Sequence, residues 1–161
     1  MSSIAKPSIA VEQATIGDCR ESAALLMQQL IEHRAEPVEE SLVTVLKQVI
    51  SDPARGFVLL AREDRMIIGV TYLATILSAE HCGKVGWLEE LYVLPEYRSE
   101  GVGSALLTEV IERARRLGIV AIDLEVDAAH RRAERLYRRI GFRSLDLSRW
   151  VRTLEKDETR L

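Results

Sequence analysis

The stretch at residues 88–107, LEELYVLPEYRSEGVGSALL, narrows the folds open to this chain more than any other. An apolar run of strand character ends at Pro95, which has no N–H to give to a ladder. A polar turn then carries Arg98, Gly101 and Gly103, and Val102, Leu106, Val110, Ala114 and Leu117 follow at helical spacing. A strand that feeds a helix through a short glycine turn is the unit of an α/β fold. Such a turn is also an anion site: the helix N-terminus offers N–H groups and partial positive charge, glycine lets a ligand approach the main chain, and Arg98 adds a full charge.

The flanking sequence alternates in the same way. A strand over residues 9–15 leads into Thr15 and Asp18, a T-x-x-D pair that can open a helix, and Ile16, Cys19, Ala23, Leu26 and Leu30 carry that helix to His33. After Pro37, Leu42, Val45, Leu46, Val49 and Ile50 predict a second helix that stops before Asp52-Pro53. GFVLLARED and RMIIGVTYLATIL read as an antiparallel hairpin turning near Asp64, and VGWLEELYVL as the strand that enters the glycine turn. Gly118 supplies a left-handed cap for the following helix. Then come a strand IVAIDLEV, a short helix HRRAERLYRRIG with Ala133, Leu136, Tyr137 and Ile140 inward, and a tail FRSLDLSRWVRTLEK whose alternation predicts one or two terminal strands. With no repeat or linker between them, these elements predict a single α/β domain with a mixed sheet over residues 1–161, of which 1–8 are a flexible lead.

A chain of 161 residues, 47% hydrophobic and 29% charged, buries a core without disulfides or a structural metal. Cys19 and Cys82 stand in no metal or CxxC spacing, which predicts no metal and a reducing, cytoplasmic setting. MSSIAKPSIA is neither cationic nor apolar enough for a signal peptide, and no apolar run reaches membrane-spanning length. The net charge of -3 argues against nucleic acid as a partner.

Three phosphate ligands compete for the turn. A nucleoside-triphosphate loop needs Lys followed by Ser or Thr, but Gly103 is followed by Ser104-Ala105. A dinucleotide fingerprint needs a third small residue where Leu106 stands, although Asp123 lies at a suitable distance downstream. The third ligand is coenzyme A. YRSEGVGSALL resembles the Arg/Gln-x-x-Gly-x-Gly/Ala motif of the GCN5-related N-acetyltransferases (GNAT), and AERLYRRIGF resembles the segment that closes the same fold, in the family's order and spacing.

That resemblance implies a mixed, mostly antiparallel sheet flanked by helices, with acetyl-CoA in a cleft where two central parallel strands, residues 87–94 and 119–126, splay apart. The main chain of Leu91, Tyr92 and Val93 would bind the acetyl carbonyl and pantetheine arm, and the turn of Arg98, Ser99, Glu100, Gly101, Val102, Gly103 and Ser104 the pyrophosphate. Tyr137 matches the tyrosine near the sulfur, assigned as general acid, and also lies on the inward stripe of its helix. Glu89 and Glu90 are the candidates for the base; a regular pleat sends them to opposite faces, and a bulge relaxes that restriction. His130 stands where many relatives carry a coenzyme-contacting asparagine. Arg131, Arg135 and Arg138 share one helix face, with Arg132 and Arg139 beside it, in reach of solvent, of the coenzyme 3'-phosphate or of an acidic partner. His33 and His81 stand in no constellation.

WLEE before the turn and SRWVRTLEK near the end look like the spermidine/spermine acetyltransferase branch. The resemblance therefore implies acetylation of a small primary amine, with a polyamine or diamine leading and amino acids, aminoglycosides, protein N-termini or lysines behind, and a homodimer formed through the terminal strands. A module that binds acyl-CoA without turnover is the rival of another class.

Overall fold

The computed structural model describes residues 9–33, 35–127, 130–145, 147–152 and 154. The lead at residues 1–8 lies outside them. Strands β1 (Ile9–Gln13), β2 (Gly56–Glu63), β3 (Met66–Ser78), β4 (Gly83–Val93) and β5 (Ala121–Leu124) form one sheet in chain order. The pairs from β1 to β4 are antiparallel and β4–β5 is parallel. A dinucleotide-binding fold needs a doubly wound parallel sheet, so this order removes that rival.

Helices α1 (Cys19–Glu32) and α2 (Glu39–Ser51) cover one face of the sheet, and α3 (Val102–Arg116) covers the other with α4 (Arg131–Ile140) beside it. β2 shows how the layers are built. Val58 and Leu60 pack with Leu26 and Leu46, while Phe57, Leu59 and Ala61 pack with Leu106, Leu107 and Val110. A strand covered on both faces needs no polar alternation, and GFVLLA has none. The β2–β3 hairpin turns through Asp64 and Arg65, with Asp64 at φ 53°, as the polar pair in the sequence requires.

Several boundaries differ from expectation. The Asp18 carboxylate accepts the Thr15 N–H at 2.7 Å, but it closes a single 3-10 turn, so α1 starts at Cys19 and Ile16 is exposed. On α2 the inward stripe is Val43, Leu46 and Val49; Val45 lies about 100° round the helix from Leu46 and faces solvent. Leu117 is exposed because α3 has ended and the chain turns at Gly118, φ 69°.

Among the described residues the terminal strands are not formed. Residues 142–145, 147–152 and 154 adopt neither strand nor helix, and Leu147, Trp150, Val151 and Leu154 are exposed. Asp146, Thr153 and residues 155–161 lie outside the described residues. Alternation predicts a strand only where one side of the pleat finds a buried face, and the described residues of this tail beyond Phe142 are all exposed. β5 is consequently the last described strand of the sheet.

Candidate active site

Two irregularities in β4 open the site. In the β3–β4 ladder Tyr72 faces Glu90 and Leu73 faces Leu88, which leaves Glu89 without an opposite residue. This bulge turns Leu91 and Val93 to the α3 face and Tyr92 to the α1 face. On the other side, β4 follows β5 only from Val85↔Ala121 to Leu88↔Leu124. Beyond Leu88 the parallel strands part, and residues 89–93 of β4 have no partner on β5.

A cleft of about 720 Å³ begins there. Leu91, Tyr92, Val93, Arg98, Ser99, Gly101, Val102, Gly103, Ser104, His130 and Tyr137 all line it, whereas Glu100, Glu89 and Glu90 do not. At its turn end, Gly101 caps α3 at φ 90°; an added Cβ would meet nothing within 4 Å, so the residue is needed for its backbone conformation. Gly103 has a different reason. A Cβ there would stand 3.2 Å from Leu136 Cδ2, so glycine lets α4 close on α3. Val102, Gly103 and Ser104 line the cleft, and as the first turn of α3 their N–H groups have no partner within the helix.

The positive charge around this turn comes largely from α4. Arg98 is tied down: Nε donates to the Val93 carbonyl at 2.9 Å, Nη2 lies 3.4 Å from Glu32, and the guanidinium stands over the Tyr92 ring. Arg132 donates to Ser99 Oγ and Arg139 to Ser104 Oγ, each at 2.8 Å, and Arg135 also lines the cleft. Arg138, grouped with the candidate anion face by spacing, instead pairs with Glu134 at 2.8 Å. In the cleft lining His130 stacks on His33, ring centroids 4.9 Å apart, and away from the cleft His81 pairs with Asp123 of β5 at 3.3 Å. Both histidine contacts join residues distant in sequence, so spacing gave no sign of them.

Next to the cleft, at the β4 bulge, the strand is acidic and partly buried. Burial and the neighbouring Glu89 charge push the Glu90 carboxyl up to about 7. Burial and the Glu90 charge push the Tyr137 hydroxyl up to about 12. The Glu90 charge therefore reaches Tyr137, whose ring packs edge-on to Phe142 at 5.7 Å. Burial also raises Glu89, opposed by Arg149 and assisted by Glu125. Arg149, from the tail, pairs with Glu125 and stands over the Trp87 ring at 5.8 Å.

The profile of the acetyltransferase (GNAT) family matches residues 23–142. The chain belongs to that family. An uncharacterized N-acetyltransferase of Mycobacterium tuberculosis is 32% identical over 113 residues, 70% of this chain and 69% of the relative. The aminoalkylphosphonate N-acetyltransferase of Salmonella typhimurium is 32% identical over 84 residues, 52% and 54% of the two chains. A predicted acetyltransferase from Clostridium acetobutylicum, crystallised with acetyl-CoA, shares the fold at TM-score 0.76 and 20% identity, covering 91% of this chain and 96% of its own. This GNAT protein is an acetyl-CoA-dependent N-acetyltransferase. Its cleft fits that cosubstrate: an unpaired strand edge for an amide-bearing arm, helix N–H groups for a diphosphate, and arginines on α4 for further phosphate. Among the described residues no group of three or more His, Cys, Asp or Glu is placed to hold a metal, and no helix is long and apolar enough to cross a membrane.

Proposed function

We propose that the chain acetylates a small, positively charged primary amine, with a polyamine or diamine as the leading acceptor. The observation that carries this reading is the partly buried Glu90, its carboxyl pushed up to about 7 where β4 and β5 part and its charge felt by Tyr137. A carboxyl near neutrality is matched to taking a proton from an ammonium group at working pH. Bound acetyl-CoA would supply the activated acetyl thioester. Leu91, Tyr92 and Val93 then hold its arm through the open β4 edge, and the turn with Arg98, Ser99, Gly101, Val102, Gly103 and Ser104 holds the diphosphate, with Arg132 and Arg139 beside it. Glu100 shares the turn without lining the cleft, which leaves it outside this set.

In this reading Glu90 removes the proton that must leave the amine, and Tyr137 keeps its own proton until the departing thiolate takes it, because burial and the Glu90 charge both oppose its ionisation. Glu89 and Glu125 add negative charge that attracts a cationic acceptor. His130 lines the coenzyme side of the cleft, where its ring offers a hydrogen bond in place of an amide. The exposed tail residues Leu147, Trp150, Val151 and Leu154 support a homodimer built through the tail; a monomeric mass by light scattering at micromolar protein would refute that part.

Thiol release from acetyl-CoA across spermidine, diamines, amino acids, an aminoglycoside, an aminoalkylphosphonate and an N-terminal peptide tests the whole reading. Turnover greatest with the polycations is expected. Preference for the phosphonate or the peptide would replace the acceptor class, and coenzyme binding without any turnover would favour the binding module.

A further inference from the structure

Gln29 is the one residue of the cleft lining whose buried side chain has a polar atom without a partner. It is 8% exposed, it lines the cleft from α1, and its Oε1 accepts no hydrogen bond. The other such atom among the described residues, Ser22 Oγ, does not line the cleft. An unpaired acceptor of this kind costs about 1–3 kcal/mol, a penalty that a packed helix face seldom carries unless something else completes the bond.

Its position says what the missing donor is. Glu32, three residues further along α1, reaches Arg98 of the anion turn, and His33 stacks on His130 in the cleft lining. Gln29 lies about 4.5 Å back along the helix axis from that contact, on the wall that shares the cleft with Leu91, Tyr92 and Val93. Leu91, Tyr92 and Val93 are the stretch of β4 given above to the amide-bearing arm, so an arm laid along that edge shares the cleft with Gln29.

We infer that Gln29 Oε1 accepts a hydrogen bond from an amide N–H of the pantetheine arm, so that α1 and the β4 edge grip the arm from two sides. The inference rests on the acetyl-CoA reading of the cleft. The bond left open at Oε1 is then completed by the arm and not by the protein.

Gln29→Leu and the more nearly isosteric Gln29→Met test this by calorimetric titration with coenzyme A and with adenosine 3',5'-bisphosphate, which lacks the arm, together with thermal unfolding of the free protein. The variants should bind coenzyme A about 10-fold more weakly, the loss of one bond that leaves an amide N–H unpaired. They should bind the bisphosphate within about twofold of wild type, and their free forms should melt no lower than wild type, because an unpaired buried acceptor has been removed. Undiminished coenzyme affinity, an equal loss for both ligands, or a lower melting temperature of both free variants would each overturn the inference. A selective rise in the KM of the amine with coenzyme affinity intact would also overturn it and assign Gln29 to the acceptor. Failure of the wild-type protein to bind coenzyme A would instead bring down the acetyl-CoA reading on which it rests.

Discussion

Glu90→Gln separates the energetic and chemical consequences of a carboxyl held out of its normal range. Raising that group from its ordinary 4.5 to about 7 corresponds to about 3.4 kcal/mol at about 1.4 kcal/mol per tenfold change in acidity. Glu90 is only partly buried, and solvent screening brings the expected effect to about 1–2 kcal/mol. The sign follows from proton uptake. Between pH 4.5 and 7 the folded protein holds a proton on Glu90 that the unfolded chain has lost, so wild-type stability falls as pH rises through this window. The variant does not titrate and keeps what wild type loses. Its melting temperature should exceed that of wild type by about 3–6 °C at pH 8, with the gap closing below pH 4.5.

Catalysis should move the other way. A general base contributes about 10²–10⁴-fold, so kcat/KM of the variant falls by that order at pH 8. The ratio of wild-type to variant kcat/KM divides out the ionisation of the amine itself. That ratio should climb about tenfold per pH unit below 7 and level off above it. Differential scanning calorimetry and initial rates over pH 4–9 read both effects on the same two proteins. A stability gap that does not change with pH, or a rate ratio that stays flat, would refute the assignment of a near-neutral carboxyl at this position.

Tyr137→Phe keeps the ring against Phe142 and removes the hydroxyl; kcat should fall about 100-fold with coenzyme affinity within about twofold, and an unchanged kcat would leave Tyr137 with packing alone. Gly101→Ala meets no neighbour but forces a side chain into a left-handed conformation, so the melting temperature should drop by about 2–6 °C and coenzyme binding should weaken; unaltered binding would remove the turn from the site. Arg149→Ala frees Glu125 and removes the charge that opposes the rise of Glu89. The KM for a diamine should fall several-fold in steady-state assays, and an unchanged KM would separate the tail from the acceptor end.

The elements that positioned the turn were legible because each rests on a local rule. Pro95 ended a strand pattern, glycines stood where α3 and α4 begin or end, and the apolar stripe of α3 ran over four of its five anticipated residues. The mostly antiparallel sheet with one parallel pair also followed, through the resemblance carried by the turn and the α4 segment. The tail misled for the opposite reason. Its alternation is a local property, but a strand needs a neighbouring edge and a face to bury, and neither is written in the tail itself.

The acceptor end depends on register, a relation between two strands that neither strand carries alone. LEEL places adjacent glutamates on opposite faces until Tyr72 pairs with Glu90 and Leu73 with Leu88; only then does Glu89 drop out of the alternation. The α4 arginines show what could still have been read. Arg132 and Arg139 stand at i-4 and i+3 from Leu136, bordering the inward stripe, and so are carried to the α3 N-terminus that Leu136 packs against; Arg138 lies off that border and pairs with its own helix. Spacing among the arginines groups Arg138 with Arg135, which does line the cleft, whereas spacing relative to the half-buried Leu136 picks out Arg132 and Arg139. A charged residue on a short helix is therefore placed by the apolar residue that anchors its turn, and the same logic puts Gln29 in the cleft beside the buried Leu25 and Leu26 of α1.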